Sequence, residues 1–125
     1  LRMIMEMGHG EKLLISDANY PWRSLGCEQV HVPVEHIETL LRDILYYFPL
    51  DQSEPKAALA MESSVESGAF AKYQELLSQE EPAVKLETVG RFDFYEHAKQ
   101  AVGVAVTADT TKGGNILITK GFVRD

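Results

Sequence analysis

Cysteine is almost missing from this chain. Cys27 stands alone, so no disulfide can close within the chain and a cysteine-built zinc site is excluded. A lone thiol points to a reducing compartment, the cytoplasm. No apolar run approaches the roughly 20 residues that a membrane-spanning helix requires. Basic charge is also short: 12 Lys and Arg stand against 19 Asp and Glu, a net charge of −7, which disfavours a nucleic-acid backbone or an anionic membrane as partner. Neither H-E-x-x-H nor G-x-S-x-G occurs. The glycine-rich stretch Lys112-Gly113-Gly114-Asn115 lacks the order of a phosphate loop and leads into a strand pattern, not a helix. These absences argue against a zincin, a serine hydrolase of that type and a P-loop nucleotide enzyme.

What remains is the composition of an ordinary globular chain. With 125 residues, 45% of them hydrophobic, it can bury one core and is too short for two domains. It opens on Leu1 and not on methionine, and native residues are expected ahead of it. Leu1 to Met7 reads as the end of a helix stopped at Gly8. Lys12 to Ser16 reads as a buried strand, Ala18 to Gly26 as a loop, and Glu28 to Val32 as a second strand with Val30 and Val32 on one face. Pro33 is expected to open the clearest helix, with Val34, Ile37, Leu40, Leu41, Ile44, Leu45 and Phe48 at helical spacing and Pro49 as its stop. Lys56 to Met61 and Ala83 to Val89 read as strands, and Glu66 to Gln79 and Phe92 to Gln100 as helices. Two late strands, Ala101 to Val106 and Asn115 to Thr119, are joined by residues 108–114. The alternation of strands and helices predicts the α/β class: a single three-layer α/β/α domain around a central mixed sheet.

Candidate chemistry concentrates near the start. In Met7-Gly8-His9-Gly10-Glu11 a histidine sits between two glycines, where no large neighbour covers its ring. Imidazole titrates near neutrality and can both give and accept a proton; the bland alternative for His9 is a capping or loop role. Asp17 closes the first strand, at the end where ligands gather in open α/β sheets, or else it caps its own turn. Arg91, after Gly90, could hold substrate hydroxyls or pair with Glu87 or Asp93. Asn115 offers a donor and an acceptor, as sugar recognition requires, and the glycines before it read otherwise as a plain turn. His31, His36 and His97 fall on faces expected to be solvated.

Four segments taken in order resemble the fucose mutarotase and ribose pyranase family. They are Glu6-Met7-Gly8-His9-Gly10, Ser16-Asp17-Ala18-Asn19-Tyr20-Pro21, Arg91-Phe92-Asp93-Phe94-Tyr95-Glu96 and residues 114–121, Gly-Asn-Ile-Leu-Ile-Thr-Lys-Gly. The arginine–aromatic segment looks closer to the fucose branch. The resemblance implies an isomerase that interconverts the α and β anomers of a free monosaccharide, L-fucose first, without metal or organic cofactor. His9 matches the catalytic histidine, and Asp17, Arg91, Gly113, Gly114 and Asn115 match sugar-binding positions. It also implies a ring-shaped homo-oligomer, often a decamer, with sites drawn from more than one subunit. Members usually carry about a dozen residues ahead of the position of Leu1.

Ring opening removes a proton from the anomeric hydroxyl and delivers one to the ring oxygen, and a group that does both contributes about 10²–10⁴-fold. One departure stands out. Fucose mutarotases usually have tyrosine where this chain has Gly113. Losing an aromatic cover for the sugar's apolar face would cost about 1–2 kcal/mol, roughly 5- to 30-fold in affinity. Tyr20 and Trp22 are the nearby aromatics that could fill the gap. Two alternatives follow: a sugar-binding or regulatory protein on the same scaffold without turnover, and a ribose pyranase.

Overall fold

A computed structural model describes residues 2–122. The N-terminal helix α1 (Arg2–Glu6) runs into the turn around Gly8 and Gly10, and strand β1 (Lys12–Ser16) follows. The other strands are β2 (Glu28–His31), β3 (Ala58–Met61), β4 (Leu86–Val89), β5 (Ala101–Val106) and β6 (Ile116–Thr119). They form one six-stranded sheet in the order β2-β5-β1-β6-β3-β4. Strands β1, β2 and β5 run parallel to one another, as do β3 and β4, and β6 lies antiparallel between β1 and β3.

Helices cover both faces, as the alternation predicted. Side chains alternate across a strand. Leu13 and Ile15 of β1 therefore face α1, α2 (Ile37–Tyr47) and α4 (Ala69–Glu80), while Leu14 faces α5 (Arg91–Ala98) through Phe94 and Ala98. The central strands are buried on both faces, which is why they read as apolar runs and not as clean alternation. Strand β2 is exposed along its whole length because it pairs on one side only. Val30 is exposed with the rest of the strand.

Two helix boundaries differ from the periodicity, each for a local reason. The helix expected from Pro33 begins at Ile37. Residues 32–36 instead follow strand β5: Val32 N–H donates to Val106, and Ala108 N–H to Val34. The Asp109 carboxylate then accepts the Ile37 N–H at 2.9 Å and so starts the helix with a cap from a distant loop. The helix expected over Glu66 to Gln79 is two helices, α3 (Ser63–Ser67) and α4, divided at Gly68, whose φ of +89° an L side chain rarely adopts.

The topology positions the functional residues. The carboxyl ends of β1, β3, β4 and β5 and the amino end of β6 all lie along one edge of the sheet. The opposite edge carries the Gly8–Gly10 turn, Leu50–Asp51 and residues 121–122. Lys120, buried there, donates from Nζ to the carbonyls of Ile4 (2.7 Å) and Met7 (2.8 Å). A cation thus satisfies the carbonyls that the end of α1 leaves free.

Candidate active site

At the carboxyl edge a cleft of about 260 Å³ opens, smaller than the sites of drug-sized ligands. Strand β1 delivers Asp17 to its floor. The carboxylate is 5% exposed and its Oδ1 accepts the Asn19 N–H at 3.0 Å. Burial pushes this carboxyl above its usual range. The amides of Asn19, Tyr20 and Gly114 pull the other way, and the Asp109 carboxylate adds a further push upward. The expected self-capping turn is present, then, and the same side chain also lines the cleft.

Asn115 lies beside it at the start of β6. Its Oδ1 accepts the Asp17 N–H at 2.7 Å, while its Nδ2 faces the Met61 sulfur at 3.3 Å. Sulfur is a weak acceptor, so the amide nitrogen keeps its capacity to donate while the oxygen locks the backbone at Asp17. Gly113 sits on the cleft wall with φ +65°. Gly114 is buried behind that wall, its carbonyl accepting a 2.5 Å hydrogen bond from the Tyr73 hydroxyl. Burial raises the Tyr73 phenol well above the ordinary tyrosine range, so it donates at any physiological pH.

Arg91 begins α5 and enters the cleft from the β4 side. Its Nε donates to the Tyr95 hydroxyl at 3.1 Å, and its guanidinium lies 5.3 Å from the Phe92 ring centroid and 5.6 Å from that of Tyr95. Among the described residues no carboxylate pairs with it, so the expected alternatives, Glu87 and Asp93, are not its partners. Tyr20 meets Tyr95 edge-on at 5.2 Å and completes an aromatic wall. Of the two aromatics considered for that role, Tyr20 lines the cleft, whereas Trp22 turns toward His31.

His9 is not in this cleft. It precedes β1 while Asp17 follows it, so the strand separates them by roughly 16 Å at about 3.3 Å per residue. At its own edge the ring is 3.1 Å from Asp51 (Nε2 to Oδ2) and stacks on Phe122 at 3.9 Å between centroids. The His9 side chain is 40% exposed. Gly10, at φ +88°, turns the chain so that its N–H reaches the Lys120 carbonyl at 2.7 Å. Hydrogen bonds from the Ser53 side chain and amide hold the Asp51 carboxyl below its ordinary range, with His9 adding to the effect. The imidazole is thus held by a carboxylate on one side and open to solvent on the other, an arrangement that acid–base chemistry can use.

Sequence reasoning missed Asp51, since no motif marks it and only the β-bridge between Leu50 and Lys120 carries it to His9. It also missed Met61 and Ser63 on the cleft wall. Tyr95 and Lys112 lay inside segments already singled out. The remaining histidines stay peripheral: His31 against Trp22, and His97 3.7 Å from Asp93. His36, Glu38 and Asp109 bring one possible metal-ligand atom each within 4.8 Å of one another, but Glu38 also reaches Lys72 and both Asp109 oxygens accept backbone N–H groups. A larger groove of about 360 Å³ beside Met5, Tyr47 and Lys120 has its buried ammonium spent on backbone carbonyls.

Known structures share this arrangement of chain. FucU from Bifidobacterium longum is 31% identical, with a TM-score of 0.89 over 98% of this chain and 93% of its own. The fucose mutarotase of Streptococcus pneumoniae, solved in complex with L-fucose, is 28% identical with a TM-score of 0.86 over 98% of this chain and 91% of its own. RbsD of Bacillus subtilis, complexed with D-ribose, has the same fold at 16% identity, with a TM-score of 0.82 over 98% of this chain and 91% of its own. The model of the RbsD / FucU transport protein family matches residues 1–123. By that match the chain belongs to the RbsD / FucU family.

Proposed function

We propose that this chain is a sugar mutarotase that interconverts the anomers of a free monosaccharide, L-fucose or a close analogue, in sites shared between copies of itself. The observation that carries the reading is the split of one reaction's parts between two edges of the sheet. One edge has a monosaccharide-sized cleft with a buried carboxylate, a guanidinium and an aromatic wall. The other has an outward-facing imidazole held by Asp51. A second copy whose amino edge meets the first copy's carboxyl edge supplies His9 to the sugar. Oligomers that close into rings repeat such a contact head to tail. The similarity to a fucose mutarotase solved with L-fucose supports the choice of sugar.

In this reading Asp17 and Arg91 hold ring hydroxyls, and Tyr20 and Tyr95 cover the apolar face of the ring. Asn115 positions Asp17 through its backbone. His9 of the neighbouring copy takes the proton of the anomeric hydroxyl and delivers it to the ring oxygen. The C1–O5 bond opens to the aldehyde, and closure on the other carbonyl face gives the other anomer. Atoms and protons balance without a second substrate.

Saturation-transfer NMR on equilibrated L-fucose reads the exchange directly, and subunit mixing tests the shared site. H9A and D17N, each inactive alone, recover about a quarter of wild-type exchange when co-assembled at equal amounts, because random pairing restores that share of interfaces. No recovery would place both groups in one chain's site and sink the shared geometry. The bare backbone at Gly113 favours one second reading, sugar binding without turnover. Binding in the absence of anomer exchange selects it.

A further inference from the structure

The wall at Gly113 is not an empty place left by a lost side chain. A Cβ built there would stand 2.1 Å from the Ser63 Oγ, 3.0 Å from the Ser63 Cβ and 3.1 Å from the Ser64 N, on a backbone whose φ of +65° already strains any L residue. Ser63 and Gly113 therefore fit as a unit: the serine fills the first step of the path that a side chain at 113 would take. What this wall offers a ligand is a hydroxyl. The Ser64 hydroxyl, by contrast, is fully buried and donates to the Met61 carbonyl at 2.6 Å, and Ser67 donates to the Ser64 carbonyl. Among the described residues the Ser63 hydroxyl has no such partner, and its residue lines the cleft.

We propose that Ser63 is the specificity-determining residue of this cleft, reading an oxygen on the exocyclic carbon of the sugar, so that a hexose with a hydroxymethyl group is preferred to a 6-deoxyhexose. The proposal rests on the mutarotase reading for its reaction, not for its recognition. Tyr20 and Tyr95 form the apolar wall and Asp17 and Arg91 the charged one; in the proposed reading these take the ring face and ring hydroxyls, and the exocyclic carbon is set against Ser63. The position at which aldohexoses of one ring stereochemistry differ is the exocyclic carbon. A methyl group set against Ser63 would cover its hydroxyl and leave it without a partner, whereas a hydroxymethyl group exchanges a hydrogen bond with it. Polar walls of this kind discriminate through the unpaired group that the wrong ligand creates.

L-Fucose and L-galactose differ only by the oxygen on that carbon and make the test. For the wild type, kcat/KM for anomer exchange is expected to favour L-galactose by about 3- to 10-fold, the range of one neutral hydrogen bond. S63A removes most of that preference, and S63T, which keeps the hydroxyl, restores it. A wild-type preference for L-fucose, or a galactose-to-fucose ratio that S63A does not move, overturns the assignment. Affinities of the same two sugars by titration carry the comparison without turnover. Absence of exchange with a galactose preference in binding would overturn the reaction alone, equal affinities would overturn the role of Ser63 alone, and binding of neither sugar would overturn both.

Discussion

The two edges of the sheet handle their carboxylates in opposite ways. At the carboxyl edge Asp17 is buried, close to Asp109, and its carboxyl is pushed upward. At the amino edge Asp51 takes two hydrogen bonds from Ser53, meets an imidazole, and is held low. The first arrangement gives up stability to place a polar group where a ligand can use it. The second keeps a permanent anion that orients a titratable ring in contact with solvent. In the proposed reading one edge binds the sugar and the other moves protons, and each needs a second copy to complete the site.

Removing the proton carrier should break the comparison most severely. H9A is expected to lower anomer exchange by about 10²–10⁴-fold, with sugar affinity measured by titration changed far less. Comparable loss of affinity would mean that the imidazole binds and does not catalyse. D51N keeps the shape but removes the anion, and a drop in exchange of about 10-fold or more at similar KM is expected from the mis-oriented imidazole.

D17N sharpens the contrast because its two effects have opposite signs. A carboxyl raised in the folded state binds protons more readily folded than unfolded, so its cost to stability is present above the folded pKa and is relieved as pH falls through it. The neutral amide removes that cost at pH 7. The expected result is a higher Tm, by about 4 °C for each kcal/mol of cost removed in a domain of 125 residues, together with weaker sugar binding. The Tm gain should vanish in acid. For Asp51 the sign reverses: a depressed carboxyl stabilises the fold above its unfolded pKa and loses that contribution as pH falls through the folded value. D51N should therefore lower Tm slightly at pH 7 and not at low pH.

The smallest effect concerns the support behind the cleft. Y73F deletes the hydroxyl that holds the Gly114 carbonyl. A loss of about 1 kcal/mol in stability, with sugar affinity reduced a few-fold, is expected if residues 111–115 need that anchor. Unchanged affinity would show that the loop is set by its other contacts.

Much of this architecture was readable from residue order. Periodicity and glycine placement located β1 and β5 as the structure has them, and layering followed from alternation. The boundaries that moved are those set by distant partners. Asp109 decides where α2 starts, and the pairing of residues 32–36 with β5 uses up backbone groups that an earlier helix would need. The exposure of β2 depends on its place at the sheet edge, which no local pattern contains. At the cleft, Asp17, Arg91, Gly113 and Asn115 stood out at a strand end or a turn, but residue by residue each also had a bland reading, and it was the order of whole segments, the family resemblance, that singled them out. Asp51 and Ser63 did not stand out, since an aspartate after a loop and a serine before a short helix look alike wherever they fall.

Sequence by itself determined which chemistry is available: an uncovered imidazole, an aspartate at a strand end, a glycine-rich turn and too few cysteines for anything built on sulfur. Only the tertiary structure decided how those groups are distributed. A five-residue strand is rigid and extended, so it holds His9 and Asp17 apart although few residues separate them. Strand pairing, which takes no account of distance along the chain, gathers Asp17, Arg91 and Asn115 into one cleft and sets Asp51 against His9.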